Sequence, residues 1–399
     1  MEQQDRGIPS VFTLTLIQLG VGVVLFVALL YGQQDLIVLT LLVLGVIGGL
    51  RLWARLSLSG LKYHLGVDRE KIFPDEPVTL TVGAENGKPL PVWLEIWVPI
   101  NLLQTLLGES VLRQESSLLW FQRTQWQWKL TAGRRGVYQI GPVHILAGDL
   151  FSFFSRHQRT QEMHSIVVYP RLVPLKSFSL PKRDFFGVPR ASSPVQDPIY
   201  ILGTRDYTHG QPSKYIHWKA SARRNRLQEK LFEPTVQEKV LLVVDVGSFA
   251  DGEAEQDFER VLQVAASMAV RLDQQGHSVG LVANGVTNGG GLPVVPVTRN
   301  DRQLPAILEV MARLEMKPER DIKDLLRRGL ADAWGVSCVY FSNQADEGVL
   351  SARRYLIARH TPALFFACHP TSITDADRSE IDSKIYGLDD ICAAEVENR

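Results

Sequence analysis

Two long apolar runs open the chain. Val11 to Tyr31 carries no charge over 21 residues, and Leu36 to Leu50 carries none over 15. About 20 apolar residues in a helix span a bilayer. The first run is long enough alone. The second reaches through Leu52 and Trp53 if Arg51 snorkels to the interface. Only Gly32-Gln33-Gln34-Asp35 separates them. The pattern therefore predicts a transmembrane helical hairpin in residues 1–59, with helices over about 11–31 and 36–53. Tyr31 and Trp53 stand where aromatic belts form. A cleaved signal peptide has a shorter apolar core and no second apolar run behind it. A helix at the surface of a soluble domain keeps a polar face, and these runs are apolar on every face. Positive charge sets orientation: Arg51, Arg55 and Lys62 follow the second run, Arg6 precedes the first, and the link holds only Asp35. Both termini and the main domains are expected on the cytoplasmic side of the plasma (inner) membrane.

From about Leu61 the period changes to two. Val78 to Val82 alternates after the turn signal Pro74-Asp75-Glu76-Pro77, and Asn86-Gly87 marks the next turn. Trp93 to Val98, Trp126 to Leu130, Val137 to Ile140, Val143 to Leu146 and Ser165 to Tyr169 read as further strands. Short strands with regular turns predict a β-sandwich-like antiparallel domain over 60–180, with the alternating Trp residues in its core. Leu102 to Leu107 has no clean period and reads as a loop or short helix. Gly133-Arg134-Arg135-Gly136 reads as a solvated turn.

The last part alternates strand and helix. Val240 to Asp245 is a continuous apolar run ending in an acid, the mark of a strand buried on both faces. Ser278 to Val282, Val336 to Phe341 and Ala363 to Cys368 read as strands. Phe258 to Leu272, Leu304 to Leu314, Asp321 to Leu330 and Ala352 to Arg359 read as helices. This order predicts a C-terminal α/β doubly wound domain over 236–370. Ligand sites in such sheets lie at the carboxyl ends of strands, which singles out Asp245 with its loop, and Ser342-Asn343. The Gly-rich stretch Asn284 to Gly291 lacks a phosphate-cradling spacing and reads as a hairpin or loop. The whole is thus a multi-domain chain of 399 residues.

Charge adds one asymmetry. Lys plus Arg and Asp plus Glu are both 43, so the chain is neutral. Residues 181–235 are nevertheless basic: Lys182 to Lys230 holds ten Lys or Arg against four acids. A C-terminal tail over 371–399 is acidic, with eight acids and three bases from Ser372. Opposed charges favour docking, between these segments or to a partner. The basic residues are spread out and carry no base-stacking module, so nucleic acid is not an expected partner. The three cysteines, Cys338, Cys368 and Cys392, show no metal spacing and suit a reducing compartment.

Several stretches together resemble one family. Arg135-Gly-Val-Tyr-Gln-Ile-Gly-Pro142, Gly148-Asp-Leu-Phe151 and Val168-Tyr-Pro-Arg171 resemble its middle region. Gly203-Thr-Arg-Asp-Tyr207, Trp218-Lys-Ala-Ser-Ala-Arg223, Glu233 and Asp245 resemble its hallmark. This is the family known as domain of unknown function 58. The resemblance implies a membrane hairpin, a β domain and a von Willebrand factor A-like domain, and a MoxR-type AAA+ ATPase as partner. It also exposes departures. Gly210-Gln211 stands where Gly-Asp is usual, and Ile216-His217-Trp218 where Ile-Asp-Trp is usual. A von Willebrand factor A domain often holds a divalent metal in an Asp-x-Ser-x-Ser loop. Here that loop is Asp245-Val-Gly247-Ser248-Phe249, and Asn343 replaces the later acid. With one carboxylate left for a hard cation, no metal or other cofactor is expected; Asp245 is where Mg²⁺ would sit.

These features point to a non-enzymatic, membrane-anchored adaptor that works with the ATPase in maturation or quality control of membrane or envelope proteins. Other such proteins are possible partners. Arg205, Tyr207, Trp218 and Arg223 are its expected partner-binding residues. In a purely structural reading Trp218 packs the sheet edge and Arg223 pairs with Asp206 or Glu233. The competing functions are a metal-independent lipid- or polyanion-binding module, and a hydrolase using Asp245 with His209 or His217.

Overall fold

The structure, a computed structural model, describes residues 11–100, 104–105, 111–150, 154–178, 196–207, 216–234, 239–249, 254–330, 335–344, 346–369 and 385–392. The chain divides into two compact units, Met1–Arg171 and Leu172–Arg399.

The first unit opens with helices α1 (Val11–Tyr31) and α2 (Gln34–Ser57), joined at Gly32, whose φ of +65° suits glycine. Among the described residues, α2 is the one helix long and apolar enough to cross a membrane, and Leu16–Tyr31 of α1 is a shorter apolar helix. α2 runs past the expected end at residue 53 because the following domain holds its last turn. Trp53 Nε1 donates to the Pro91 carbonyl at 2.7 Å, and Ser57 Oγ donates to the Ala147 carbonyl at 3.0 Å. The Lys88 ammonium donates to the carbonyls of Leu56, Ser57 and Ser59. A cation there meets both the carbonyls at the end of the helix and the negative end of the helix dipole. Burial holds the Lys88 ammonium below the ordinary lysine range.

Eleven described strands follow: β1 (Leu61–Val67), β2 (Lys71–Ile72), β3 (Val78–Asn86), β4 (Val92–Pro99), β5 (Gln104–Thr105), β6 (Val111–Leu118), β7 (Arg123–Thr131), β8 (Gly136–Ile140), β9 (His144–Gly148), β10 (Ser155–Arg159) and β11 (His164–Val168). Two four-stranded antiparallel sheets form, ordered β1-β3-β7-β5 and β10-β9-β4-β6. A third sheet, β2-β11-β8, contains one parallel pair, β11 with β2. Alternation along β3 and β4 sends Leu80, Val82, Leu94 and Ile96 into one core. Two expectations are corrected. Gln104–Thr105 is a strand paired with β7, not a loop or helix. Trp126 and Trp128 pack against the core as expected, but Trp93 and Trp97 share the opposite face from Leu94 and Ile96. Trp97 Nε1 donates to Glu95 at 2.7 Å, and Arg113 lies over its ring while pairing with the same carboxylate.

The turn between β6 and β7 is unusual. Leu119, Trp120 and Phe121 are 51%, 64% and 65% exposed. Phe121 has a φ of +52°. A left-handed backbone costs a residue with a Cβ about 1–2 kcal/mol. The turn is fixed nonetheless. Asn86 Nδ2 donates to the Leu119 and Leu90 carbonyls, and the Phe121 amide donates to the Lys88 carbonyl.

The second unit holds β12 (Gln196–Asp206), α3 (Trp218–Arg224), β13 (Gln228–Pro234), β14 (Lys239–Val244), α4 (Glu255–Gln274), β15 (Ser278–Ala283), β16 (Gly285–Thr287), β17 (Val294–Thr298), α5 (Gln303–Arg313), β18 (Leu314–Pro318), α6 (Ile322–Gly329), β19 (Val336–Gln344), α7 (Glu347–Ala358), β20 (Ala363–His369), β21 (Ile385–Gly387) and α8 (Leu388–Ile391). Its main sheet is ordered β17-β15-β14-β19-β20-β21. All neighbours are parallel except the edge pair β15 with β17. This is an α/β sheet in which the order reverses between β14 and β19. The continuous apolar run of β14 is fully buried between its neighbours, as its sequence requires. Two further readings change. Gly285–Thr287, expected in a hairpin or loop, is a strand that pairs with the distant β18 as a small separate sheet. The acidic stretch from residue 371 is not all tail, since Ile385–Gly387 supplies the sixth strand of the main sheet.

Candidate functional site

The switch point between β14 and β19 gathers the side chains of Asp245, Asn284 and Tyr340, with the Asn343 backbone beside their loop. Asp245 follows β14, Asn284 follows β15, and Tyr340 and Asn343 lie on β19. The Asp245 carboxylate is buried. Its Oδ1 accepts from Asn284 Nδ2 at 2.9 Å and from the Gly247 amide at 3.1 Å. Its Oδ2 accepts from the Tyr340 hydroxyl at 2.6 Å. Burial raises the carboxyl above the ordinary aspartate range, and the Tyr340 and Asn284 hydrogen bonds oppose that rise. Tyr340 is itself pushed well above the usual phenol range by burial and by the Asp245 charge.

The rest of the loop is equally committed. Ser248 Oγ donates to the Asp245 carbonyl at 2.7 Å and accepts from the Asn343 amide at 2.9 Å. Asn284 Oδ1 accepts from the Val246 amide at 2.6 Å. Gly247 leaves room for this arrangement. A Cβ on it would stand 3.2 Å from Asp245 Oδ1 and 3.4 Å from Asn284 Nδ2. A serine there would therefore press on the Asp245–Asn284 hydrogen bond. The acceptors that a hard cation would need already receive protein donors, save Asn343 Oδ1, which is buried with no hydrogen-bond partner among the described residues. No group of three or more His, Cys, Asp or Glu among the described residues is placed to hold a metal. Asp245, Gly247, Ser248 and Asn343 thus converge, but around each other.

The hallmark residues lie elsewhere in this unit. β12 pairs with β13 in antiparallel fashion, with Arg205 opposite Glu229 and Asp206 opposite Gln228. The Arg205 guanidinium pairs with the buried Glu229 carboxylate. The Tyr207 amide donates to the Leu227 carbonyl at 2.8 Å. The helix between these strands is tied down by polar side chains. His217 caps α3 by accepting from the Ala220 amide at 3.1 Å. Ser221 Oγ accepts from the Gln228 amide at 2.8 Å and donates to the His217 carbonyl. Against this fixed base Trp218 is 69% exposed, and Lys219, Arg223 and Arg224 are also exposed or half-exposed. Trp218 therefore does not pack the sheet edge. Arg223 does not pair with Asp206, whose carboxylate accepts from Gln228 Nε2 instead. Glu233's side chain, His209, Gly210 and Gln211 lie outside what is described.

Sequence reasoning missed Asn284, Tyr340 and Glu229. Asn284 carried a usable signal, since it directly follows a parallel strand beside Asp245's own. Tyr340 and Glu229 carried none, because each faces its partner only through sheet register. The cysteines are all free. Burial pushes the Cys338 and Cys368 thiols up to about 12, so neither is a reactive thiolate at neutral pH.

Comparison with known proteins agrees with the resemblance. Residues 203–333 match the family model described as "Protein of unknown function DUF58". The match runs from β12 through α6 and includes both Arg205 and Asp245. The chain is 23% identical over 293 residues to "Uncharacterized protein YeaD" of Bacillus subtilis (strain 168), covering 72% of this chain and 69% of that one. Likeness to solved structures is partial. A Pseudomonas fluorescens alkylpurine DNA glycosylase AlkC bound to DNA containing an abasic site analog overlaps 27% of this chain and 30% of its own, at 17% identity and a TM-score of 0.20. The ASH/PapD-like domain of human CEP192 overlaps 28% of this chain and 85% of its own, at 13% identity and a TM-score of 0.20. Neither overlap carries an argument about function.

Proposed function

We propose that this protein, similar to the DUF58 family, is a membrane-anchored adaptor whose α/β domain presents a fixed recognition patch to a protein partner. The observation that carries this reading is Trp218. A large aromatic exposed to water gains nothing for the fold, yet the helix that bears it is capped and pinned by His217, Ser221 and Gln228. Tryptophan and arginine are the residues most enriched at the energetic centres of protein interfaces. Arg223 lies on the same short helix.

The domain is read as von Willebrand factor A-like with a metal-free loop. Its parallel sheet with an antiparallel edge strand, and an aspartate at the switch point, support that reading. Asn284 and Tyr340 serve Asp245 where a cation would in a metal-binding relative. A hydrolase finds less support. Asp245 already accepts from three neutral donors, Tyr340, Asn284 and the Gly247 amide, and His217 is occupied in capping α3. By resemblance the partner is a MoxR-type AAA+ ATPase. α1 and α2 together form the membrane hairpin in this reading, with the β and α/β domains cytoplasmic.

The test is capture of tagged full-length protein from gently solubilised native membranes, with and without ATP, read by mass spectrometry. An ATPase retained by the native chain and lost by folded Trp218→Ala and Arg223→Ala supports the adaptor. Failure to retain any ATPase in either condition overturns it.

A further inference from the structure

The tip of the β6–β7 turn points to a second contact with the bilayer. From Ser116 to Gln122 the chain has no charge, and Leu119, Trp120 and Phe121 at its tip are all exposed. Phe121 is also held at a left-handed φ of +52°. A bulky residue in that region marks a tightly constrained turn. In water this tip has nothing to bury against.

Its location supplies the occupant. Asn86 and Lys88 hold the tip through the Leu119 carbonyl and the Phe121 amide. The same Lys88 caps the carboxyl end of α2 through the Leu56, Ser57 and Ser59 carbonyls. Pro91, at the far end of the same connection, accepts from Trp53, one turn back along α2 toward its apolar stretch. The apolar tip and the end of the membrane helix thus share one scaffold, the β3–β4 connection. Arg51 and Arg55 lie in the last turns of α2, where anionic headgroups attract them. Trp belongs at that depth, with its ring in the interface, and Phe and Leu accompany it on the buried face of interfacial segments.

We propose that Leu119-Trp120-Phe121 inserts into the interfacial layer of the bilayer that α2 enters, giving the β domain a second, shallow membrane contact. The proposal rests on the reading of α2 as a membrane helix. The test uses tryptophan emission of the full chain reconstituted into phosphatidylcholine vesicles, with plain or brominated acyl chains. Subtracting Trp120→Phe from the native spectrum isolates Trp120, and subtracting Trp53→Phe isolates Trp53. Both substitutions keep an aromatic and Trp120 is exposed; because Trp53→Phe gives up the hydrogen bond to Pro91, circular dichroism of each variant must match the native chain before its spectrum is subtracted. Insertion predicts a blue-shifted Trp120 signal that loses most of its intensity in brominated vesicles. A Trp120 signal unaffected by bromine, while Trp53 is quenched, overturns insertion and leaves the anchor standing. If neither is quenched, the membrane reading of α2 falls as well.

Discussion

The Tyr340 hydroxyl donates a 2.6 Å hydrogen bond to Oδ2 of Asp245, and both residues are buried at the reversal point of the sheet. Burial raises this carboxyl. A carboxyl whose folded pKa exceeds its unfolded one binds protons more readily in the folded state. Stability therefore falls as pH rises from the ordinary aspartate range through the raised value, and is level above it. Asp245→Asn keeps the shape and removes that slope. The check is unfolding of both proteins in detergent across the acidic range. A slope that persists in Asp245→Asn assigns it to another group.

Tyr340→Phe removes one donor from the buried carboxylate and leaves the ring against Phe365, 5.3 Å away between centroids. A hydrogen bond to a charged group contributes about 1.5–3 kcal/mol. Unfolding should show a loss of that size. The raised pKa of Asp245 should rise further, because a group that lowered it is gone, so the pH-dependent window widens upward. Asp245→Ala should cost more, since it strands the Tyr340 hydroxyl and the Asn284 amide together.

The hallmark residues should separate into two classes. Arg205→Ala leaves the buried Glu229 carboxylate without its guanidinium, and stability should drop by about 1.5–3 kcal/mol. Trp218→Ala and Arg223→Ala touch exposed side chains and should stay within about 0.5 kcal/mol of native, as surface changes do. Thermal unfolding of the three variants checks this. Loss of partner capture by Trp218→Ala without loss of stability is the result that separates recognition from structure.

Much of this layout was legible in the chain. The apolar runs marked α1 and α2, and the continuous run before Asp245 marked the central strand. The rule for sites in α/β sheets then led to Asp245 and Asn343. What was not legible depends on register. Alternation in β4 showed a strand but not which face of it met the core, so Trp93 and Trp97 were assigned inward. The pairing of Gln196–Asp206 with Gln228–Pro234 joins polar, Gly- and Pro-containing stretches far apart in sequence, and no local period announces it. The partnership of Asp245 with Tyr340 spans 95 residues and arises only once β14 and β19 lie side by side.

The end of α2 provides the last prediction. Lys88 serves three carbonyls at and just beyond the end of the helix, and it also anchors the Phe121 amide through its own carbonyl. Lys88→Met keeps the stem and removes the ammonium. Because the site is part-exposed, water replaces some of what is lost, and the cost should be about 1 kcal/mol, typical of a cation at a helix carboxyl end. The effect should be local. Hydrogen exchange should speed up from residue 57 to 60 and from 119 to 122, and leave the β14 and β19 amides of the second unit unchanged. Lys88→Arg, which keeps the charge, should restore most of the protection. Faster exchange across the whole first unit would show instead that Lys88 supports the sandwich core rather than the junction.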